Sequence, residues 1–146
     1  NLHGLNTRSD GISYNPIATR SAAAIPQMYF ADRTLRGKAA LTAMVDLVIA
    51  PDTGIIHAAG CYDTPKICLL GHNTIECITK HFENDYSVES DPSKAECSPC
   101  LFLIYNKNLQ CPTVEKFGGA SLCMAEGIPT STVFDKVKSV YLSSKS

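Results

Sequence analysis

The 146-residue chain lacks a surplus of either charge: 13 basic side chains face 14 acidic ones, for a formal net charge of −1. Binders of nucleic acid or of anionic membranes carry a basic excess, so neither is expected as a main partner. No stretch approaches the ~18–20 uncharged apolar residues of a membrane-spanning helix. Asn1 to Asp10 is polar and lacks a signal-peptide run, and the missing initiator Met points to a processed chain or a fragment. No N-x-Ser/Thr glycosylation acceptor occurs. Neither a G-x-x-x-x-G-K-Ser/Thr loop nor G-x-G-x-x-G is present, which removes the usual phosphate cradles of ATPases and nicotinamide enzymes. Internal repeats and low-complexity tracts are absent too.

What is present suits one packed domain. Hydrophobic residues make up 45% of the chain, enough for a core, and the length fits the ~100–200 residues of a single domain. The seven cysteines are an odd number without a secretory context. They point to a reducing compartment with free or metal-bound thiols, and the cytoplasm is the expected location.

From Asp32 a helix–strand rhythm sets in. Thr34 to Val45 is rich in helix formers, weakened at its start by Gly37, and its alanines suit close packing against a sheet. Asp46 to Ala50 is a run of branched apolar residues, expected as a parallel strand buried on both faces. Pro51-Asp52-Thr53-Gly54 ends it, and Ile55 to Gly60 reads as a short helix with Thr53 as its N-cap. Asp63 to Pro65 is a turn, and Lys66 to Leu70 a second buried strand closed by Gly71. This alternation predicts an α/β fold with a parallel sheet. Residues 1–30 are poorly defined, punctuated by Gly4, Gly11, Pro16 and Pro26, with room for a short helix only at Ala18 to Ile25. Beyond Gly71, Thr74 to Phe82 reads as a short helix followed by a polar loop through Lys94, and Leu101 to Tyr105 as a strand or a packed loop. Thr132 to Leu142, capped by Ser131 after Pro129, is an amphipathic helix. Its apolar face carries Val133, Phe134, Val137, Val140 and Tyr141, with Asp135, Lys136 and Lys138 opposite.

The chemistry concentrates in Asp46 to Gly71. Ligands of open parallel sheets sit at the carboxyl ends of strands, and a helix start offers unpaired N–H groups to an anion such as phosphate. Gly54 lets a ligand approach the backbone, Thr53 adds a hydroxyl, and His57 lies one turn on, where a protonated imidazole would neutralise phosphate charge. Asp52 would repel a bare phosphate and is expected to hold the loop through backbone N–H groups or to contact a hydroxyl. The same residues also read as a plain turn with a solvated histidine, because Asp-Thr-Gly is common at turns.

The ordered context resembles the donor-binding signature of glycosyltransferase family 9, the ADP-heptose lipopolysaccharide heptosyltransferases and their relatives. That signature is a helix, an apolar strand, Asp-(Ser/Thr)-Gly-x-x-His, Ala-Ala, a small-residue-Pro turn and an apolar strand ending in Gly. Here its parts are Leu41 to Val45, Leu47 to Ala50, Asp52-Thr53-Gly54 with His57, Ala58-Ala59, Thr64-Pro65, and Ile67 to Gly71. Cys123-Met124, Ile128 and the Val133/Val137 helix resemble the end of several such proteins. The likeness spans residues 33–142 and is densest over 41–71.

The resemblance implies a Rossmann-like domain over residues 31–146, the donor half of a two-domain GT-B glycosyltransferase. Its donor substrate would be a nucleotide-diphosphate sugar and its acceptor a saccharide of lipopolysaccharide type, with inverting transfer and no essential metal or other cofactor. Thr53 and Gly54 would meet the diphosphate, His57 would assist its charge, and Asp52 would organise the loop or touch the sugar. The acceptor half and the catalytic base have no counterpart in this chain, so a partner domain or chain would supply them. Two rival readings are a non-catalytic nucleotide-sugar-binding or assembly subunit and a small zinc-stabilised interaction module.

The second rival comes from Cys97, Cys100, Cys111 and Cys123, spaced C-x2-C-x10-C-x11-C. The first pair has metal-knuckle spacing, but no second C-x2-C matches it, so zinc, disulfide pairing and free thiols all stay open. Cys61 and Cys68 read as core residues and Cys77 as a face of the short helix. His3, His81, Lys136 and Lys138 read as solvated, and Gly118-Gly119 as a hinge.

Overall fold

The computed structural model describes residues 33–101, 111–113 and 120–143, and the backbone of residues 2–5 and 28–31. Its centre is a parallel sheet of β3 (Val48–Pro51), β4 (Lys66–Leu70) and β5 (Val88–Glu89), with β4 in the middle. Val48 stands opposite Lys66 and Pro51 opposite Leu69, while Leu69 and Leu70 face Val88 and Glu89. The chain is therefore α/β with a three-stranded parallel sheet flanked by helices. A separate parallel pair joins β1 (Leu2–Leu5) to β2 (Met28–Ala31) in a segment where no strand was expected. The short helix expected over residues 18–25 lies outside the described residues.

After Lys66, β4 is apolar, and both of its faces are covered. On one face Cys68 and Leu70 join Val48 and Ala50 of β3 under α2 (Gly54–Ala59), with Ile55, Ile56 and Ala59 buried among them. Ile75 and Ile78 of α3 (Ile75–Ile78) and Phe82 pack at the margin. On the other face Ile67 and Leu69 meet Val88, Met124 of α4 (Leu122–Ala125), Ile128, and Val133 and Val137 of α5 (Thr130–Ser143). Removing ~25 cal/mol per Å² of apolar surface from water on two sides makes this strand the main source of cohesion.

β3 corrects the expectation of a strand buried on both faces. Its side chains alternate between buried and exposed, and Ile49 is 46% exposed. The reason is coverage: α4 and α5 sit over Ile67, Leu69 and Val88, and among the described residues no helix covers the same face at Ile49.

The helices differ from expectation in similar ways. α1 (Leu35–Thr42) is capped by Thr34, whose hydroxyl accepts from the Gly37 amide at 3.2 Å. It lies against α2 rather than the sheet, and Leu35 is 76% exposed. α3 is one turn long, capped by Thr74, where a helix through Phe82 was expected. On α5, Val140 is buried and Val133 and Val137 are packed, but Phe134 and Tyr141 of the expected apolar face are exposed. The polar loop before Lys94 contains β5, a strand of two residues. Leu101 is described but residues 102–105 are not, so that expected strand or loop lies outside the described residues, as does Gly118-Gly119.

Candidate functional site

Parallel strands put all their carboxyl ends on one edge of the sheet, and the residues that leave β3, β4 and β5 meet there. Asp52 leaves β3. Thr53 follows in an extended conformation and α2 begins at Gly54. The Thr53 hydroxyl donates to the Pro51 carbonyl at 3.2 Å instead of capping the helix. The Thr53 carbonyl takes the Ile56 and His57 amides. Among the described residues no side chain caps this helix start. A Cβ on Gly54 would meet no atom within 4 Å, so the backbone there faces open space.

Asp52 is the hub of the site. Its Oδ1 lies 3.0 Å from His57 Nε2, its Oδ2 accepts from the Asn73 side-chain amide at 3.2 Å, and His72 Nε2 stands 3.9 Å from Oδ2. The carboxylate is 15% exposed, whereas the imidazoles of His57 and His72 are 51% and 24% exposed. An acceptor-only carboxylate requires a proton on His57 Nε2, which leaves Nδ1 as the second ring nitrogen. Asp52 thus holds the loop through an imidazole and a side-chain amide, not through backbone N–H groups as expected. The His57 ring also meets Phe82 edge to face, with centroids 6.2 Å apart.

His72, Asn73 and Ser90 complete this edge and were not singled out by sequence reasoning for it. The usable signal was positional: His72 and Asn73 follow β4 after Gly71, and Ser90 follows β5. Asn73 is only 2% exposed, and its own side-chain oxygen accepts from the Thr74 amide. Ser90 is buried, and its hydroxyl has no partner among the described residues.

Two cavities open beside these residues. The smaller, about 120 Å³, is lined by Asn73, Thr74, Glu89, Ser90 and Ser98 among others. The larger, about 230 Å³, is lined by His72, Met124 and four cysteines, Cys97, Cys100, Cys111 and Cys123. Neither cavity includes Thr53, Gly54 or His57.

All seven cysteines are free thiols. Cys61, expected in the core, is exposed, because α2 ends before it and its Sγ reaches the His57 carbonyl at the surface. Cys68 is buried as expected, and burial, with Asp52 and Asp85 adding, pushes its thiol up to about 12. Cys77 is exposed on α3. Among the described residues no three His, Cys, Asp or Glu side chains are gathered as a bound metal ion would hold them. Nor is any described helix long and apolar enough to cross a membrane. Comparison with family models, with curated proteins and with solved structures finds no match.

Proposed function

We propose that this edge binds the diphosphate of a nucleotide-diphosphate sugar, and that the chain is the Rossmann-like donor half of a GT-B glycosyltransferase of the family 9 kind. The observation that carries the reading is the Asp52–His57–Asn73 network beside the uncapped, unobstructed backbone at Gly54. A diphosphate needs several donors and some positive charge. The Gly54 and Ile55 amides offer donors, and the His57 imidazole would add charge when protonated, with Asp52 fixing how the ring faces. In this reading Asp52 acts on the ligand through His57 and Asn73, which engage its two oxygens. The polar cavity at Asn73, Glu89 and Ser90 has the hydroxyl and amide groups that a sugar requires.

In inverting transfer an acceptor hydroxyl attacks the anomeric carbon and the nucleoside diphosphate leaves. The leaving group gains charge in the transition state, and donors already in place stabilise it without reorganisation. In this reading the chain's residues bind and orient the donor and take up that charge. The saccharide acceptor and the base that deprotonates it belong to a partner domain or chain. The reaction so described calls on no metal, and the donor is a substrate rather than a resident cofactor.

Calorimetric titration with ADP, UDP and GDP and their sugars tests the reading, comparing wild type with His57→Ala and Gly54→Val. Loss of a charge-assisted hydrogen bond is worth about 1.5–3 kcal/mol, so His57→Ala is expected to bind roughly ten-fold or more weakly, and Gly54→Val, which fills the open space beside the backbone, is expected to weaken binding as well. Absence of binding by wild type, or unchanged affinity in both variants, overturns it.

A further inference from the structure

The smaller cavity lies where the chain leaves β4 and β5, and Ser98 closes it from a later turn. Its volume is about 120 Å³, less than the ~150 Å³ that takes one bare six-membered ring. A sugar ring therefore cannot enter whole, but one edge of it can. Pro92 and Pro99 give the cavity an apolar wall, and the rest of its lining is polar.

Glu89 is the last residue of β5. One of its carboxylate oxygens accepts from the Ile75 amide at the start of α3, which steadies the side chain and leaves the second oxygen for a ligand. Ser90 is placed by its backbone, whose amide donates to the Leu70 carbonyl at 3.0 Å. Its side chain is buried, and its hydroxyl, set against Gly127, has no partner among the described residues. Such a hydroxyl is uncommon, because it has given up water without gaining a hydrogen bond. The Ser98 hydroxyl donates to the Gly71 carbonyl at 2.7 Å and keeps its lone pairs. Asn73 gives one side-chain hydrogen to Asp52 and keeps the other. The same Asp52 carboxylate holds His57, so the cavity wall and the imidazole are tied to one side chain.

We infer that Glu89 and Ser90 recognise a vicinal diol of the nucleotide sugar, seated as one ring edge in this cavity. The inference rests on the donor-binding reading above and adds which ligand groups are read and by which residues. One ligand hydroxyl donates to the second Glu89 oxygen, a charge-assisted bond. Its neighbour pairs with Ser90, whose hydroxyl can donate or accept and is otherwise unpartnered. The ring carbons between them rest on Pro92 and Pro99, the combination of apolar wall and few polar groups that small-molecule sites use. The Glu89 carboxylate repels anions, so the phosphates stay at Gly54 and His57 while an uncharged, hydroxylated edge enters. Both the transferred sugar and a ribose carry such a pair of hydroxyls, and the test separates them.

Calorimetry on the full chain tests this with UDP and UDP-glucose, ADP and ADP-glucose, and GDP and GDP-mannose. Glu89→Gln keeps an oxygen for the Ile75 amide but removes the charge and puts a donor where the diol needs an acceptor. It is expected to bind the nucleotide sugar about ten-fold or more weakly than wild type, and Ser90→Ala roughly two- to ten-fold more weakly. A loss confined to the nucleotide sugar assigns the diol to the sugar. An equal loss for the bare nucleotide, reproduced in wild type by its 2′-deoxy form, assigns it to the ribose. Where circular dichroism shows that a variant does not fold, wild type alone decides. Among the 2′-deoxy nucleotide sugar and the analogues lacking each sugar hydroxyl in turn, at least one is expected to bind about ten-fold more weakly. Unchanged affinity in both variants, or for all of those analogues, overturns this inference while the diphosphate reading stands on its own His57→Ala and Gly54→Val results. Absence of binding by wild type removes that reading, and this inference with it.

Discussion

The Asn73 side-chain amide donates to Asp52 Oδ2 at 3.2 Å, joining the carboxyl end of β4 to that of β3 across 21 residues of sequence. Both groups are largely shielded from water, so the bond carries more weight than a surface contact. Asn73→Ala removes the donor and strands a partly buried carboxylate. Hydrogen bonds to charged groups contribute about 1.5–3 kcal/mol, and a loss of that size is expected. Urea unfolding followed by circular dichroism measures it, and an unchanged midpoint would show that Asp52 is held by His57 alone.

Two glycines at this edge should respond oppositely to a methyl group. At Gly54 a Cβ meets nothing within 4 Å, so Gly54→Ala should leave stability unchanged or raise it by up to about 1 kcal/mol. At Gly127 a Cβ would fall 1.9 Å from Ser90 Oγ and 2.7 Å from the Cys123 backbone carbonyl. Ser90 can turn away but the carbonyl cannot, so Gly127→Ala should cost about 1–3 kcal/mol, as overpacking does. Thermal melts of the two variants side by side distinguish the cases. The contrast also means that any ligand-binding defect from a larger residue at Gly54 reports occlusion, not misfolding.

The parts of this fold legible in the sequence are those with a pattern of their own. β4 is a branched apolar run because both its faces are covered, and α5 shows helical spacing at Val133, Val137 and Val140. Ile49 misled for a physical reason: an apolar residue reads alike whether a helix covers it or not, and here no described helix does. Phe134 and Tyr141 misled in the same way. β5 is two residues long within a polar segment, and only its register with Leu69 and Leu70 makes it a strand. At the site, Asp52 and His57 were legible as neighbours at one helix start, but not as partners of each other. Asn73 and Ser90 were not, since their place depends on which strands are neighbours.

Lys66 shows how far a polar end can hide in an apolar strand. Its side chain is fully buried, and its Nζ donates to the Tyr62 carbonyl at 3.0 Å and to the Glu83 carbonyl. Burial lowers its pKa, opposed by Asp85, Asp63 and Glu83. Lys66→Met keeps the aliphatic stem but leaves two carbonyls without their donor, and should cost about 1–3 kcal/mol. Lys66→Ala adds a cavity and should cost more, up to about 5 kcal/mol. Equal losses in denaturant unfolding would mean that the stem contributes nothing.

Cys68, two residues along the same strand, sets how stability responds to alkali. Its thiol is held neutral to about 12 in the folded chain, against 9.0 for an ordinary cysteine. Above pH 9 the unfolded chain therefore releases this proton while the folded chain keeps it, and linkage makes stability fall as pH rises. Below pH 9 both states hold the proton and the contribution is constant. A shift of this size corresponds to at most about 4 kcal/mol across the whole window. Cys68→Val fills nearly the same space with nothing to ionise. Its stability relative to wild type should be flat up to pH 9 and then climb steadily. Lys66 acts with the opposite sign, since its lowered pKa makes the folded chain the first to lose a proton, but it is present in both proteins and cancels from the difference. Denaturant midpoints of wild type and Cys68→Val measured in parallel from neutral to alkaline pH give that difference directly. A difference that stays constant above pH 9 would mean that the Cys68 thiol is reached by water.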